Sequence, residues 1–212
     1  MKTLFKINQT MKDNNIEQRY IPGMIVEERA DGESYVQGKG AVFNSWSHNL
    51  GGFVERIDPK AFDGVNTDDV LITLNHDFNQ TMARTSNGTA EVWPDGEAMN
   101  YKYKTPNTTT GQDVQELIRT GTISGSSFMF TVAEGGEIWD KREDGVYERT
   151  ITQIDRLIEL GPVAMPAYPD TTSTLARAEA RGWISNTATD SKPKTTIEDL
   201  KLKRRRLMLK KN

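Results

Sequence analysis

The sequence predicts an α+β fold, a mainly antiparallel β-barrel flanked by a few helices. Strand-like segments outnumber helical ones and follow one another along the chain, which is typical of antiparallel sheets and not of βαβ units. Turns such as Ala30-Asp31-Gly32 and Pro94-Asp95-Gly96 separate neighbouring strands. A chain of 212 residues, 35% of them hydrophobic, suits a single core of moderate size.

Short apolar strands make up the first half of the chain. Gly38 and Gly40 interrupt the second of them, which indicates a β-bulge or a close backbone approach. The run at 70–74 is the most apolar of this half and is expected to be buried. Pro59 is well placed to start a helical turn at 59–62. The predicted strands are 21–28, 34–43, 53–57, 70–74, 90–93 and 98–104.

Both predicted helices lie in the second half. Residues 109–120 carry apolar side chains on one face, and Gly121 is a typical helix stop. Residues 171–181 follow Asp170, which is a suitable N-cap. The predicted strands are 126–132, a hairpin of 138–141 with 146–150, and 154–160.

Charge divides the chain into an acidic body and a basic end. Residues 201–212 hold seven basic side chains and no acidic one, so the rest of the chain carries a net charge of −10. A nucleic-acid-binding domain would carry basic charge on its folded face, so nucleic acid is not expected as the main partner. The basic end could contact nucleic acid, an acidic protein or the body itself. We expect an N-terminal arm at 1–18, a folded domain at 19–184, and a linker with a basic tail at 185–212.

Several classes of function are excluded by what the sequence lacks. It has no cysteine, which removes disulfides, thiolate catalysis and cysteine-ligated zinc. It has no phosphate-binding glycine loop, no G-x-S-x-G elbow and no metal-ligand spacing, so no cofactor or metal is expected. It also lacks the roughly 18–20 apolar residues needed to cross a bilayer and the apolar segment of a secretion signal, so no membrane association is expected.

The segment 121–132 carries the residue that we interpret as a nucleophile. Read as a strand from Ser126, its side chains alternate between two faces, and burial draws Phe128 and Phe130 to the core at roughly 1.5–3 kcal/mol each. Ser127 then lies on the opposite face, on a stiff strand that can aim its hydroxyl. A serine hydroxyl attacks only when a base removes its proton, and histidine is the usual base near neutral pH.

The base must be one of two histidines. His76 directly follows the apolar run at 70–74, whereas His48 lies in a loop rich in glycine and asparagine. Because a general base must be held firmly, His76 is the better candidate. The alternative is a strand-end histidine that is satisfied by a backbone carbonyl.

Glu159 is the candidate for the carboxylate that orients the imidazole. It lies in the apolar strand 154–160, where burying an unpaired carboxylate is costly. By alternation it shares a face with Leu157. Histidine, an arginine or water could be its partner, and Asp77 and Asp155 compete for the same role.

Four stretches stand out in order along residues 35–175. They are 41–44 with 50–53 and 59–62; Leu74-Asn75-His76-Asp77; 121–130, which contains Gly125-Ser126-Ser127-Phe128-Met129-Phe130; and Leu157-Ile158-Glu159-Leu160 with 163–169. In this order they resemble the N-terminal, histidine, serine and acidic motifs of the prohead (procapsid maturation) proteases of tailed bacteriophages. Four motifs in order are more specific than any one of them.

The resemblance implies a serine endopeptidase with a fold similar to the herpesvirus capsid-maturation proteases, with His76 as base, Ser127 as nucleophile and Glu159 as orienting acid. The implied partners are the phage scaffold protein or the scaffolding arm of the major capsid protein, cleaved inside the assembling prohead in the host cytoplasm. Cleavage of the chain itself is also implied, and self-association is a further option. The tail at 185–212 is then a removable extension that recruits the enzyme, or a solvated tail without function. The alternatives are a catalytically silent scaffolding module on the same fold and an esterase-like hydrolase.

Overall fold

A computed structural model describes residues 16–28 and 32–164, together with Ala178 and Gly182. The chain divides into two compact units, 1–175 and 176–212, and the twelve strands and the helix Thr109–Arg119 belong to the first. No helix among the described residues is long and apolar enough to cross a membrane. The strands are β1 (Glu17–Pro22), β2 (Met24–Glu28), β3 (Ser34–Val42), β4 (Phe53–Ile57), β5 (Leu71–Leu74), β6 (Asp77–Arg84), β7 (Ala90–Pro94), β8 (Ala98–Lys104), β9 (Gly125–Val132), β10 (Glu137–Lys141), β11 (Tyr147–Ile151) and β12 (Ile154–Val163); the α-helix is α1 (Thr109–Arg119), and 3₁₀ turns occupy Pro59–Phe62 and Thr85–Asn87.

The strands of this described part form three sheets, and none of them closes into a barrel. The sheet orders are β1-β9-β12-β5-β6, β2-β3-β8-β7 and β10-β11-β4. Pairing is antiparallel except between β12 and β5 and between β11 and β4. The prediction of mainly antiparallel strands is confirmed, and one α-helix, Thr109–Arg119, accompanies the strands of the first unit. The prediction of a closed barrel is wrong. Local turn signals reveal hairpins but not the long-range pairings that separate the sheets.

The predicted strands and the helix at 109–120 are confirmed to within a few residues, but two strands are missing from the prediction. β1 starts in the last two residues of the expected N-terminal arm at 1–18, and its own last two residues fall within the predicted strand 21–28. β6 is too polar to be recognised, because it is an edge strand of its sheet. The rest of the arm (1–15), the helix at 171–181 apart from Ala178, and the linker and tail at 185–212 lie outside the described residues.

The strand β9 lies inside the five-stranded sheet and is buried on both faces. Phe128 and Phe130 are buried in the apolar core, as alternation predicts. They are joined there by Ile72 from β5 and Leu160 from β12, both completely buried. The core therefore holds β5, β9 and β12 in a constant relative position, and these three strands carry or adjoin the predicted site residues.

Candidate active site

Adjacent strands of the five-stranded sheet bring the three predicted site residues together. Ser127 lies on β9, Glu159 lies on β12, and His76 lies in the turn between β5 and β6. The His76 Nε2 atom is 2.7 Å from Ser127 Oγ, and its Nδ1 atom is 2.5 Å from Glu159 Oε2. Ser127 and Glu159 are completely buried, and the His76 side chain is 10% exposed. We call these three residues the triad.

The chemistry of the partners sets the direction of both hydrogen bonds in the triad. An ionised carboxylate can only accept, so the Nδ1–H of His76 donates to Glu159. The neutral imidazole then has its lone pair on Nε2, and the Ser127 hydroxyl donates to it. A histidine in this tautomer can remove the serine proton, and the carboxylate can stabilise the imidazolium that results.

A β-bulge in β12 determines the face on which Glu159 lies. Leu157 pairs with Phe130 of β9. The next paired residue, Glu159, faces Met129, so Ile158 is an extra residue between the two pairs. Leu157 therefore lies on the core face and Glu159 on the opposite face, beside the candidate nucleophile. The prediction that Glu159 shares a face with Leu157 is wrong, because simple alternation does not allow for an inserted residue.

Thr73 on β5 supplies a second donor to the triad carboxylate. Its hydroxyl lies 2.7 Å from Glu159 Oε1, and the residue is completely buried. Together with the imidazole N–H, this hydroxyl satisfies both carboxylate oxygens, which offsets the loss of their hydration. Sequence reasoning missed Thr73. The signal that could have identified it is its place as the one hydroxyl in the apolar run 70–74.

A two-residue turn between β5 and β6 holds the imidazole in place. Asn75 and His76 have φ angles of 54° and 58°, a combination that a type I′ hairpin turn requires. Asparagine and histidine are among the residues that tolerate positive φ best. The Asn75 backbone N–H donates to the carbonyl of Pro162 (3.0 Å), and its side-chain Oδ1 accepts from the N–H of Ala164 (2.8 Å). Asn75, which sequence reasoning also missed, thus ties the turn to the end of β12.

The residue before Ser127 is anchored in the core. Ser126 Oγ lies 2.8 Å from the hydroxyl of Tyr101, and both residues are buried. A Cβ atom at Gly38 would come within 2.6 Å of Ser126 Oγ, so only glycine leaves room for this pair. Burial raises the pKa of Tyr101 well above its usual value. The predicted close approach at Gly38 is confirmed, and the predicted bulge appears as a register shift at Gly40.

The other candidates for the orienting carboxylate, Asp77 and Asp155, form hydrogen bonds outside the triad. Asp77 accepts hydrogen bonds from the side chain of Gln80 and from a backbone N–H, and these hold the pKa of Asp77 below its usual value. Asp155 accepts from the Thr131 hydroxyl. His48 is exposed in its loop. No cluster of acidic and histidine side chains that could hold a metal ion occurs in residues 16–28 and 32–164.

Comparison with known proteins points to one family. A model of the caudovirus prohead serine protease family matches residues 23–182, a range that includes the whole triad. No curated protein matches the chain. Among solved structures, the capsid assembly protease of bacteriophage T4, gp21, is 12% identical, with a TM-score of 0.42; the match covers 69% of this chain and 98% of that one.

Proposed function

We propose that this chain is a serine endopeptidase of phage capsid maturation, because it belongs to the caudovirus prohead serine protease family. One observation carries the proposal: His76 Nε2 lies 2.7 Å from the Ser127 hydroxyl, while Nδ1 lies 2.5 Å from Glu159. In this proposal Ser127 is the nucleophile, His76 is the general base and Glu159 orients the imidazole.

The proposed reaction has two stages. Ser127 Oγ attacks the scissile carbonyl while His76 Nε2 takes its proton, and the imidazolium then protonates the leaving amine. The acyl group left on Ser127 is hydrolysed by a water molecule that the same nitrogen activates. Glu159 stabilises the imidazolium in both stages, and Thr73 holds Glu159 in place.

The proposed substrates rest on family membership. They are the phage scaffold protein or the scaffolding arm of the major capsid protein, cut inside the assembling prohead in the host cytoplasm, and the chain itself. A fold like that of the herpesvirus capsid-maturation proteases belongs to the same proposal. So does the division into an arm at 1–18, a protease domain at 19–184 and a linker with a basic tail at 185–212.

A fluorophosphonate probe tests the nucleophile. We expect covalent labelling at Ser127, located by peptide mass spectrometry, because a base-activated serine reacts far faster than an ordinary one. Labelling should disappear in Ser127→Ala and in His76→Ala. Thermal unfolding of both variants beside the wild type shows whether they remain folded. An unlabelled wild type, or labelling that persists in folded His76→Ala, would refute the assignment.

Incubation with co-expressed capsid protein separates the protease from its alternatives. We expect cleavage by the wild type and a turnover lowered roughly 10⁴–10⁶-fold in Ser127→Ala. Hydrolysis of small esters without cleavage of any protein would favour an esterase-like hydrolase. Binding to the capsid protein without hydrolysis of either substrate would favour a silent scaffolding module.

A further inference from the structure

A cavity of about 290 Å³ is lined mainly by residues of the five-stranded sheet and by the loop before β5. Four of its apolar lining side chains are partly exposed to solvent, namely those of Ile16, Leu71, Phe78 and Ile158. Apolar side chains gathered around an open hollow are typical of binding surfaces. This cavity is near the lower limit of the usual size range for small-molecule pockets, so it suits an amino-acid side chain better than a whole cofactor.

Strand register connects this cavity to the triad. One row across β9, β12, β5 and β6 consists of Met129, Glu159, Leu71 and Arg84. Residues paired in this way place their side chains on the same face of a sheet. Three of the four line the cavity, and the fourth is the triad carboxylate. Ser127 lies two residues from Met129 along β9, a distance of roughly 7 Å.

The charged residues of the lining are paired with one another. Arg84 forms an ion pair with Asp69, and Arg156 lies 3.3 Å from Asp155. The lining therefore contains two acidic and two basic side chains. A charged side chain entering the cavity would have to compete with one of these pairs. An apolar side chain would only displace water and would gain free energy by its own burial.

From this placement we propose that the cavity is a substrate subsite, which accepts an apolar side chain within about two residues of the bond cleaved at Ser127. The inference rests on the proposed protease function. An extended polypeptide advances by roughly 3.3–3.4 Å per residue, as a strand does. A substrate whose scissile carbonyl lies at Ser127 Oγ can therefore place the side chain two positions away over Met129. Leucine, isoleucine, methionine and phenylalanine have the chemistry that this lining recognises.

Cleavage-site profiling tests the subsite. The full chain is incubated with peptides from a digested bacterial proteome, and the new termini are read by mass spectrometry. We expect an apolar residue to be preferred at one fixed position within two residues of the cut. Phe78→Ala enlarges the cavity and should shift that preference to larger side chains by about tenfold, while Phe78→Trp should shift it to smaller ones, because one methylene changes discrimination in an apolar pocket by about 10–200-fold.

Ile138→Ala is the matched control, because Ile138 is an apolar side chain on β10 that is 54% exposed and does not line the cavity. Its cleavage profile should equal that of the wild type. A preference that shifts in both Phe78 variants but not in this control supports the subsite. A profile without an apolar position, or one that neither Phe78 variant alters, overturns the subsite.

Fluorophosphonate labelling distinguishes this failure from failure of the protease proposal. If Ser127 is labelled and peptides are cut without an apolar preference, the subsite is wrong and the protease proposal stands. If the wild type is not labelled and cuts no peptide, the protease proposal fails and the subsite fails with it.

Discussion

Asn75 helps to position the His76 imidazole in two ways, through its backbone conformation and through its side chain. Its φ angle of 54° meets the demand of the turn, and its Oδ1 accepts the backbone N–H of Ala164 at 2.8 Å. The next residue, His76, also has a positive φ of 58°. Any shift of this turn therefore moves Nε2 relative to the Ser127 hydroxyl. A misplacement of about 1 Å can cost roughly a hundredfold in rate.

Replacing Asn75 should reduce activity more than it reduces stability. We expect Asn75→Ala to lower kcat/KM by roughly 10–100-fold, because alanine neither favours the positive φ nor accepts the hydrogen bond. Asn75→Gly restores the backbone freedom alone, so it should recover part of the loss if the turn conformation matters. Peptidase kinetics and the rate of fluorophosphonate labelling measure the effect. Unchanged kinetics in Asn75→Ala would show that the turn does not depend on this side chain.

Thr73 can be tested by a substitution that keeps its shape. Thr73→Val removes the hydroxyl that donates to the buried Glu159 carboxylate, and we expect a loss of about 1–3 kcal/mol in the free energy of unfolding. Thr73→Ser keeps the donor and is the matched control. Urea unfolding of both variants measures the difference. Equal stability of Thr73→Val and Thr73→Ser would contradict a stabilising role for this hydrogen bond.

Among the elements, β1 is joined to the three-stranded sheet by buried charges. Arg149 of β11 is completely buried, and its Nη1 lies 2.6 Å from carboxylate oxygens of both Glu17 and Glu55. Arg19 of β1 also donates to Glu55, and Glu137 of β10 accepts from Arg149. Burial opposes the charge of Arg149, yet these carboxylates raise its pKa above the usual value. The network ties β1, whose backbone pairs with β9, to the three-stranded sheet.

Removing the charge of one carboxylate in this network should destabilise the fold. We expect Glu55→Gln to lower the free energy of unfolding by about 3–5 kcal/mol, because it leaves buried arginines with too few compensating carboxylates. The control is Glu116→Gln, which breaks the exposed Glu116–Arg119 pair of α1 and should change stability little. Denaturant unfolding at neutral pH compares the two. If both variants lose equally little, the buried network does not stabilise the fold.

On the scale of the whole molecule, an acidic body and a basic end share one chain. The seven basic residues of 201–212 contrast with a net charge of −10 elsewhere. If the chain is a protease that also cuts itself, its own tail at 185–212 is the segment that we expect it to remove. We expect the intact mass of the purified wild type to fall with time by removal of residues from this tail, while Ser127→Ala keeps its full mass. A tail retained equally in both proteins would argue against self-processing.

The sequence by itself determined most of the strands and all three triad candidates. Alternation along 126–132 is a local property, and a chain with two histidines and no cysteine leaves few choices of catalytic chemistry. The catalytic roles of the triad stay a prediction until the labelling is done. The sequence predicted which residues form the triad but not the distances between them.

Only the tertiary structure decided how these parts meet. The bulge at Ile158 places Glu159 on the same face of the sheet as Ser127. Thr73 holds the Glu159 carboxylate, and Asn75 holds the turn that carries His76. The strands form separate sheets in place of a barrel. His76 and Glu159 are 83 residues apart in sequence. Contacts over such separations depend on the register between distant strands, which turn residues and alternation within one strand do not specify.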